Sequence, residues 1–176
     1  MSPKFHNLNR SIEAALCARS LVLLVGEDED SRDTFLRELL HVYQDHEDYS
    51  SLEVSAPGGG TDALLMRLIA TRVGLPPLRT RYALWRQFET YCARQYEVDK
   101  RVLLFIGEAQ LLTDRQLDLL HALSTICVGD DLAVQMVMVS DERLLARLQK
   151  EERHRALYSR LGVRARIGKI NTRQAA

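Results

Sequence analysis

Short apolar runs alternate with amphipathic stretches along this chain of 176 residues. Runs that are apolar at nearly every position are typical of strands buried on both faces of a sheet. Such runs occupy residues 21–25, 102–106 and 133–139, and weaker strands are predicted at 51–55 and 163–167. Apolar residues at helical spacing predict helices between these strands. The predicted helices cover 8–18, 31–46, 61–73, 80–97, 113–127, 141–149 and 152–160.

The alternation of strands and helices predicts the fold class. Strands separated by helices form parallel sheets with helices on both faces, so we expect a three-layer α/β domain with a five-stranded, mostly parallel sheet. No linker divides the chain, and we assign residues 1–170 to this domain and 171–176 to a C-terminal tail. Within the helix predicted at 80–97, a row of aromatic residues that includes Tyr82 is interpreted as core.

Composition narrows the function classes. Hydrophobic residues make up 46% of the chain and charged residues 27%, which is typical of a globular domain. No apolar run reaches the roughly 20 residues that a membrane-spanning helix needs, and the first residues lack the apolar core of a signal peptide. We therefore expect a cytoplasmic protein without membrane insertion. No cluster of cysteines and histidines has metal-ligand spacing, so no metal site is predicted.

The formal net charge is zero, but the charges are segregated along the chain. Residues 27–53 contain ten acidic and two basic residues, whereas residues 143–176 contain ten basic and two acidic ones. This distribution predicts a molecule with one acidic and one basic region.

The segment after the first buried strand stands where a phosphate-binding loop, G-x-x-x-x-G-K-[ST], would lie. Gly26 matches the first glycine of that pattern. Ser31 replaces the second glycine, Arg32 the lysine, and Asp33 the hydroxyl residue that would hold Mg²⁺, while Thr34 follows one position late. The intervening positions all carry acids, namely Glu27, Asp28, Glu29 and Asp30. Four carboxylates beside a triphosphate would repel it, each close pair by about 1 kcal/mol or more. They are also residues that cap a helix N-terminus.

The second buried strand ends in Gly107-Glu108. In ATPases with a phosphate-binding loop of that pattern, a second apolar strand ends in Asp-Glu. The Asp orders Mg²⁺, and the Glu orients the attacking water. Glu108 is retained, but Gly107 replaces the aspartate. The two residues that would position Mg²⁺ are thus both replaced, at positions 33 and 107. This argues that ATP hydrolysis has been lost.

The chain resembles the AAA+ ATPases of the general secretion pathway and of transposon target selection. The resemblance rests on residues 21–40, 64–76, 103–112, 134–145 and 157–167, and so covers nearly the whole chain. It implies a sheet order of 5-1-4-3-2, and we expect no full helical lid after the last strand. It also implies that Glu108 occupies the water-orienting position, that Ser140 lies near the sensor position, and that Arg160, with Arg153 and Arg155 nearby, is an interface arginine.

Three functional hypotheses follow. The first is a catalytically inactive pseudo-ATPase without a cofactor, in which Glu27–Asp30 receive basic residues of a protein partner, either a second copy or an active AAA+ ATPase. The second is a DNA-binding accessory protein that uses the basic C-terminal segment. The third is an atypical ATPase in which Arg32 and Thr34 take the Lys and Thr roles.

Overall fold

The computed structural model describes residues 3–168, which form a five-stranded sheet between two layers of helices. In chain order the elements are α1 (Pro3–Cys17), β1 (Leu21–Gly26), α2 (Glu29–Tyr43), β2 (Tyr49–Ser55), α3 (Asp62–Arg72), α4 (Arg81–Tyr96), β3 (Arg101–Gly107), α5 (Asp114–Leu123), β4 (Cys127–Val128), β5 (Asp131–Leu132), β6 (Val134–Ser140), α6 (Glu142–Lys150), α7 (Arg155–Ser159) and β7 (Leu161–Ile167). Two 3₁₀ turns, Ala109–Leu111 and Glu152–His154, precede α5 and α7.

The sheet has the order β2-β3-β6-β1-β7, and every pair of neighbouring strands is parallel. Counted by position along the chain, its five strands therefore run 5-1-4-3-2, as the resemblance implied. The carboxyl ends of β1, β3 and β6 meet at one edge, where Val25 pairs with Ser140. Ligands of open α/β sheets bind at this edge, so the arrangement brings the segments singled out above to one place.

Each face of the sheet has its own apolar core, because strand side chains alternate between faces. On one face, α1 and α2 pack on residues such as Val22, Leu24 and Phe105. On the other face, α3 to α7 pack on Leu23, Leu104 and other buried residues. All six residues of β1 are buried, which explains why its sequence has no polar position.

The structure corrects three details of the sequence prediction. Helix α5 ends at Leu123, although the sequence predicted a helix to residue 127. A short antiparallel hairpin of β4 and β5 follows the helix. Helix α2 begins at Glu29 and not at residue 31. Tyr82, expected in the core, is 74% exposed, whereas Leu84 and Phe88 of the same helix are buried.

Within residues 3–168, no helix combines the length and the apolar character needed to cross a bilayer. The predicted C-terminal tail, 171–176, lies outside the described residues.

Candidate functional site

The segment in the place of the phosphate-binding loop is a helix start. Asp28 is the N-cap of α2, and its Oδ1 accepts a hydrogen bond from the Ser31 amide at 2.8 Å. The Arg32 amide donates to the Asp28 carbonyl at 3.2 Å. An anion site at a helix N-terminus depends on free amides of this kind. The Asp28 side chain thus takes up one amide, that of Ser31, that a phosphate could otherwise accept, while the Arg32 amide makes the first regular hydrogen bond of the helix.

This helix start corrects the expected acidic loop. Glu29 and Asp30 belong to the first turn of α2, so only Glu27 and Asp28 connect β1 to the helix. Carboxylates are favoured in a first helical turn by the partial positive charge of the helix N-terminus, which explains the early start.

Arg32, at the position of the lysine, forms an ion pair across the site. Its Nε and NH2 donate to the two carboxylate oxygens of Glu108, each at 2.9 Å, and its NH1 donates to the Gly26 carbonyl at 3.1 Å. The Arg32 side chain is 7% exposed and that of Glu108 is 23% exposed. Hydrogen bonding to Glu108 raises the pKa of the Arg32 guanidinium. The sequence-predicted residues Gly26, Arg32 and Glu108 therefore meet in one place.

The path of the Arg32 side chain also depends on Gly26. A Cβ atom at residue 26 would lie 2.6 Å from the Arg32 Cγ, which is closer than side chains approach. The glycine at the start of the segment thus leaves room for the arginine stem, in addition to any part it plays in the turn.

Glu108 has a left-handed backbone, with φ 49° and ψ 39°, which is unusual for a residue with a side chain. Its carboxylate also accepts a hydrogen bond from the Gln110 Nε2, and the Gln110 Oε1 accepts one from the Asp141 amide at 3.2 Å. Asp141 is the N-cap of α6. A continuous series of hydrogen bonds therefore joins the start of α2 to the start of α6 through the Arg32–Glu108 pair.

Ser140, predicted near the sensor position, lies next to the last residue of this series. It is fully buried at the end of β6, and its hydroxyl donates to the carbonyl of Asp141 at 2.9 Å.

Gly107, interpreted from the sequence as the position of the Mg²⁺ aspartate, has an apolar neighbour in α2. A Cβ atom at Gly107 would lie 3.1 Å from the Leu36 Cδ2. Leu36 belongs to α2 and is buried. The remaining predicted Mg²⁺ and hydroxyl positions, Asp33 and Thr34, are exposed and half-buried, respectively, on the same helix.

The carboxylates of Glu27, Glu29 and Asp30 are exposed, and they form no ion pair within the part of the chain that the structure describes. We call these three residues the acidic surface. It lies directly beside the Arg32–Glu108 pair in sequence, at the carboxyl edge of the sheet. Asp28, by contrast, is half-buried in its capping role.

The three predicted interface arginines differ in their surroundings. Arg160 is half-buried, and its NH2 donates to the Ser124 carbonyl at 2.9 Å, so its guanidinium bonds within the domain. Arg153 contacts Asp118, and its NH1 lies 3.6 Å from Asp114. Arg155 is 77% exposed and pairs only with the equally exposed Glu152, at 2.8 Å. Of the three, Arg155 is the one that a partner could reach without breaking buried contacts.

Asp114 is the centre of a polar network at the start of α5. It accepts hydrogen bonds from Arg147 at 2.7 Å and from the His154 Nε2 at 3.1 Å, and the His154 Nε2 also lies 3.3 Å from Glu151. The hydrogen bonds from Arg147 and His154 lower the pKa of Asp114. Asp114, Glu151 and His154 could each offer a ligand atom to one metal ion. The guanidinium groups of Arg147 and Arg153 already supply the positive charge there, so we interpret the group as a structural network.

Sequence comparison gives the family. The model of the family described as "AAA domain" matches residues 15–148, about three quarters of the chain. This chain belongs to the AAA domain family. The matched range includes β1, α2 and β3.

Solved structures support the same fold. The ORC2 protein of Aeropyrum pernix, in ADPNP-ADP complexes, matches with a TM-score of 0.70 and 16% identity, over 93% of this chain and 46% of that one. Cdc6p of Pyrobaculum aerophilum matches with a TM-score of 0.65 and 14% identity, over 94% and 45% of the two chains. A chain of Drosophila ORC bound to DNA matches with a TM-score of 0.61 and 14% identity, over 98% and 96%.

At these identities the likeness establishes the AAA+ fold alone. The chain spans about half the length of the first of these relatives. No curated protein matches in a sequence search. The narrower resemblance to secretion and transposition ATPases therefore stays a prediction.

Two residues that lie at this place were not singled out from the sequence. They are Asp141 and Leu36, because a helix cap and a core leucine carry no motif of their own. Arg32 and Glu108 were each singled out, but their pairing across 76 residues was not predicted.

Proposed function

We propose that this AAA domain does not hydrolyse ATP and acts as a protein-interaction module. The observation that carries the proposal is the ion pair between Arg32 and Glu108. An arginine that donates two hydrogen bonds to a carboxylate, and a third to Gly26, is not available to a triphosphate. The same bonds neutralise the carboxylate that would orient the attacking water.

Two further observations support the absence of ATP chemistry. The N-cap Asp28 takes up the Ser31 amide, so fewer amides face a ligand. Residue 107 is a glycine and provides no carboxylate for the metal, and a Cβ atom there would lie 3.1 Å from the Leu36 Cδ2. The residues present do not fit a bound Mg²⁺–ATP, and we derive no catalytic step.

The acidic surface supports the second part of the proposal. Three exposed carboxylates without an ion pair concentrate negative charge on this surface, and such a surface attracts a basic partner. Because the ion pair already fills the site without nucleotide, such a contact would form independently of ATP. A second copy that contributes Arg155 would give a head-to-tail assembly, and an active AAA+ ATPase that contributes a basic residue would be regulated by the contact.

The test compares two neutralised variants. Glu27→Gln/Glu29→Gln/Asp30→Asn removes the acidic surface, and Asp45→Asn/Glu47→Gln/Asp48→Asn removes three exposed acids in the turn after α2 as a matched control. Sedimentation velocity measures self-association, and affinity purification from the native cell with mass spectrometry measures capture of an AAA+ ATPase. We expect the first variant to lose the association and the control to retain it. Association that is unchanged in the first variant contradicts the proposal.

The DNA-binding alternative is not favoured at the basic C-terminal segment. Three of its arginines pair within the domain, Arg143 with Asp141, Arg147 with Asp114 and Arg166 with Glu142. A structure of Drosophila ORC bound to DNA is among the relatives of this fold, which keeps nucleic acid as a candidate partner. An atypical ATPase that uses Arg32 and Thr34 would first have to break the Arg32–Glu108 pair.

A further inference from the structure

The arginines at the start of α7 have acidic neighbours within the domain. Arg155 lies 2.8 Å from Glu152, and Arg153 contacts both Asp114 and Asp118. Much of the positive charge of these arginines is therefore balanced inside one copy of the chain. For this reason the start of α7 is a weak counterpart for the acidic surface.

A second set of arginines lies on α3, α4 and the connection between them. Residues 62–97 contain six arginines and three acids, so the formal charge of this segment is +3. Two of the arginines form ion pairs, Arg81 with Asp62 and Arg86 with Glu89. The other four are exposed and form no ion pair within residues 3–168, namely Arg67, Arg72, Arg79 and Arg94. The segment therefore carries positive charge that the described part of the chain does not balance.

Helix α4 exposes part of this charge along one side. Tyr82, Arg86, Thr90 and Arg94 are all exposed and follow one another every four residues, so they form a row on the side of the helix away from its buried residues. Tyr82 is 74% exposed, and the Arg86 side chain is 64% exposed although it pairs with Glu89. We call these four residues the α4 surface. Arginine and tyrosine are enriched at protein–protein interfaces, where they provide much of the binding energy.

The α4 surface and the acidic surface belong to opposite layers of the domain. Helix α2, which carries Glu29 and Asp30, packs its buried residues on the face of the sheet that α1 also covers. Helix α4 packs its buried residues on the other face. Because the sheet separates the two helices, the two surfaces do not neutralise each other within one copy. Between two copies, opposite charges on the two surfaces attract each other.

We propose that the α4 surface of one copy binds the acidic surface of a second copy. This contact rests on the function proposed above, in which the acidic surface binds protein, and it takes α4 in place of Arg155 as the basic counterpart. The contact joins two different surfaces, so each added copy leaves one free surface of each kind. The assembly therefore grows beyond two copies, into a ring or a filament.

Sedimentation velocity of the full chain over a range of concentrations tests the proposal, with and without nuclease treatment. The unmodified chain should form species larger than a dimer at about 50 mM salt and dissociate at about 500 mM, because salt screens contacts between exposed charges. Arg86→Glu/Arg94→Glu opposes like charges in the contact and should weaken self-association about 100-fold. Arg86→Gln/Arg94→Gln removes the charges without reversing them and should weaken it about tenfold.

A mixture of two charge-reversed variants tests which surfaces meet. Glu27→Lys/Asp30→Lys reverses the acidic surface and should weaken self-association by a similar factor. When this variant is mixed with Arg86→Glu/Arg94→Glu, the introduced lysines of one face the introduced glutamates of the other, and the two unaltered surfaces also match. The mixture should therefore recover the association that each variant alone has lost. Recovery also shows that both variants are folded, because an unfolded chain would not restore a specific contact.

The matched control is Arg155→Glu/Arg166→Glu, which reverses two exposed, ion-paired arginines of the C-terminal segment. We expect the control to associate like the unmodified chain, and an equal loss in the control overturns the proposal.

The remaining outcomes separate this contact from the function proposed above. If the acidic-surface variant loses association but the α4 variants retain it, the acidic surface still binds protein and α4 is not its counterpart. A chain that stays monomeric, or that stops at a dimer, overturns the contact between copies, whereas capture of an AAA+ ATPase by the acidic surface would still support the proposed function. Association that nuclease treatment abolishes would assign the α4 surface to nucleic acid and overturn the proposal.

Discussion

Breaking the Arg32–Glu108 pair should destabilise the fold, and each partner should matter only while the other is present. Removal of one partner from a buried ion pair costs about 3–5 kcal/mol. Because 23% of the Glu108 side chain is exposed, we expect Arg32→Met to lower the free energy of unfolding by an amount at the lower end of this range, about 3 kcal/mol. Glu108→Gln should cost about 2 kcal/mol, since the amide still accepts one hydrogen bond while the buried guanidinium loses its counter-charge.

The double variant shows whether the two residues interact. In Arg32→Met/Glu108→Gln neither side chain is left as a buried unpaired charge, so the loss should be smaller than the sum of the single losses. We expect a coupling energy of about 1–3 kcal/mol. Urea unfolding followed by circular dichroism at neutral pH provides the four free energies of unfolding that the cycle needs.

An exposed pair on the same domain provides the control. Arg155 and Glu152 form an ion pair of similar length, but the two side chains are 77% and 86% exposed. The double-mutant cycle of Arg155→Met and Glu152→Gln should give a coupling energy of about 0.3–0.5 kcal/mol, and this coupling energy should fall as salt is added. If the coupling between Arg32 and Glu108 is no larger than that of the control pair, the ion pair does not hold the site together and our reasoning is wrong.

Three further predictions concern the same domain. Asp28→Ala removes the N-cap of α2 and should lower the free energy of unfolding by about 1 kcal/mol, whereas Asp28→Asn should retain most of it; an equal loss in both would contradict the capping role. Gly26→Ala places a Cβ 2.6 Å from the Arg32 Cγ and should lower the thermal unfolding temperature. The decrease should be larger than that caused by Gly168→Ala, because a Cβ at residue 168 meets no neighbour. Because the pKa of Asp114 is lowered, its contribution to stability is complete above its ordinary pKa of about 3.9 and is lost as the pH falls through its lower folded value. Urea unfolding between pH 2 and 6 should therefore show a smaller acid-side decline in Asp114→Asn, and identical pH profiles would exclude this contribution.

The sheet could be predicted from the sequence because its strands are buried on both faces. In runs such as Val134–Ser140, polar residues do not recur at the spacing of an amphipathic helix or of a half-exposed strand. Each of these runs is followed by an amphipathic helix. The order of the strands followed from the family resemblance and is confirmed by the pairing of β1 with β6 and β7.

The chemistry of the site could be predicted only in part. Local positions that depart from a motif, such as Gly107, can be read from the sequence. The ion pair could not, because its partners are distant in the chain and either could have faced solvent. The start of α2 at Glu29 was missed because the motif suggested a loop where local capping by Asp28 favours a helix.

The central claim is that an ion pair within the chain occupies the place of nucleotide. Isothermal titration of the unmodified protein with ATP and Mg²⁺ tests it most directly. We predict no saturable heat at millimolar ATP, and an unchanged thermal unfolding temperature in the same mixture, because ligands that bind the folded state raise that temperature. Saturable binding of Mg²⁺–ATP with a rise in unfolding temperature would contradict the account, since the nucleotide would then have displaced Glu108 from Arg32.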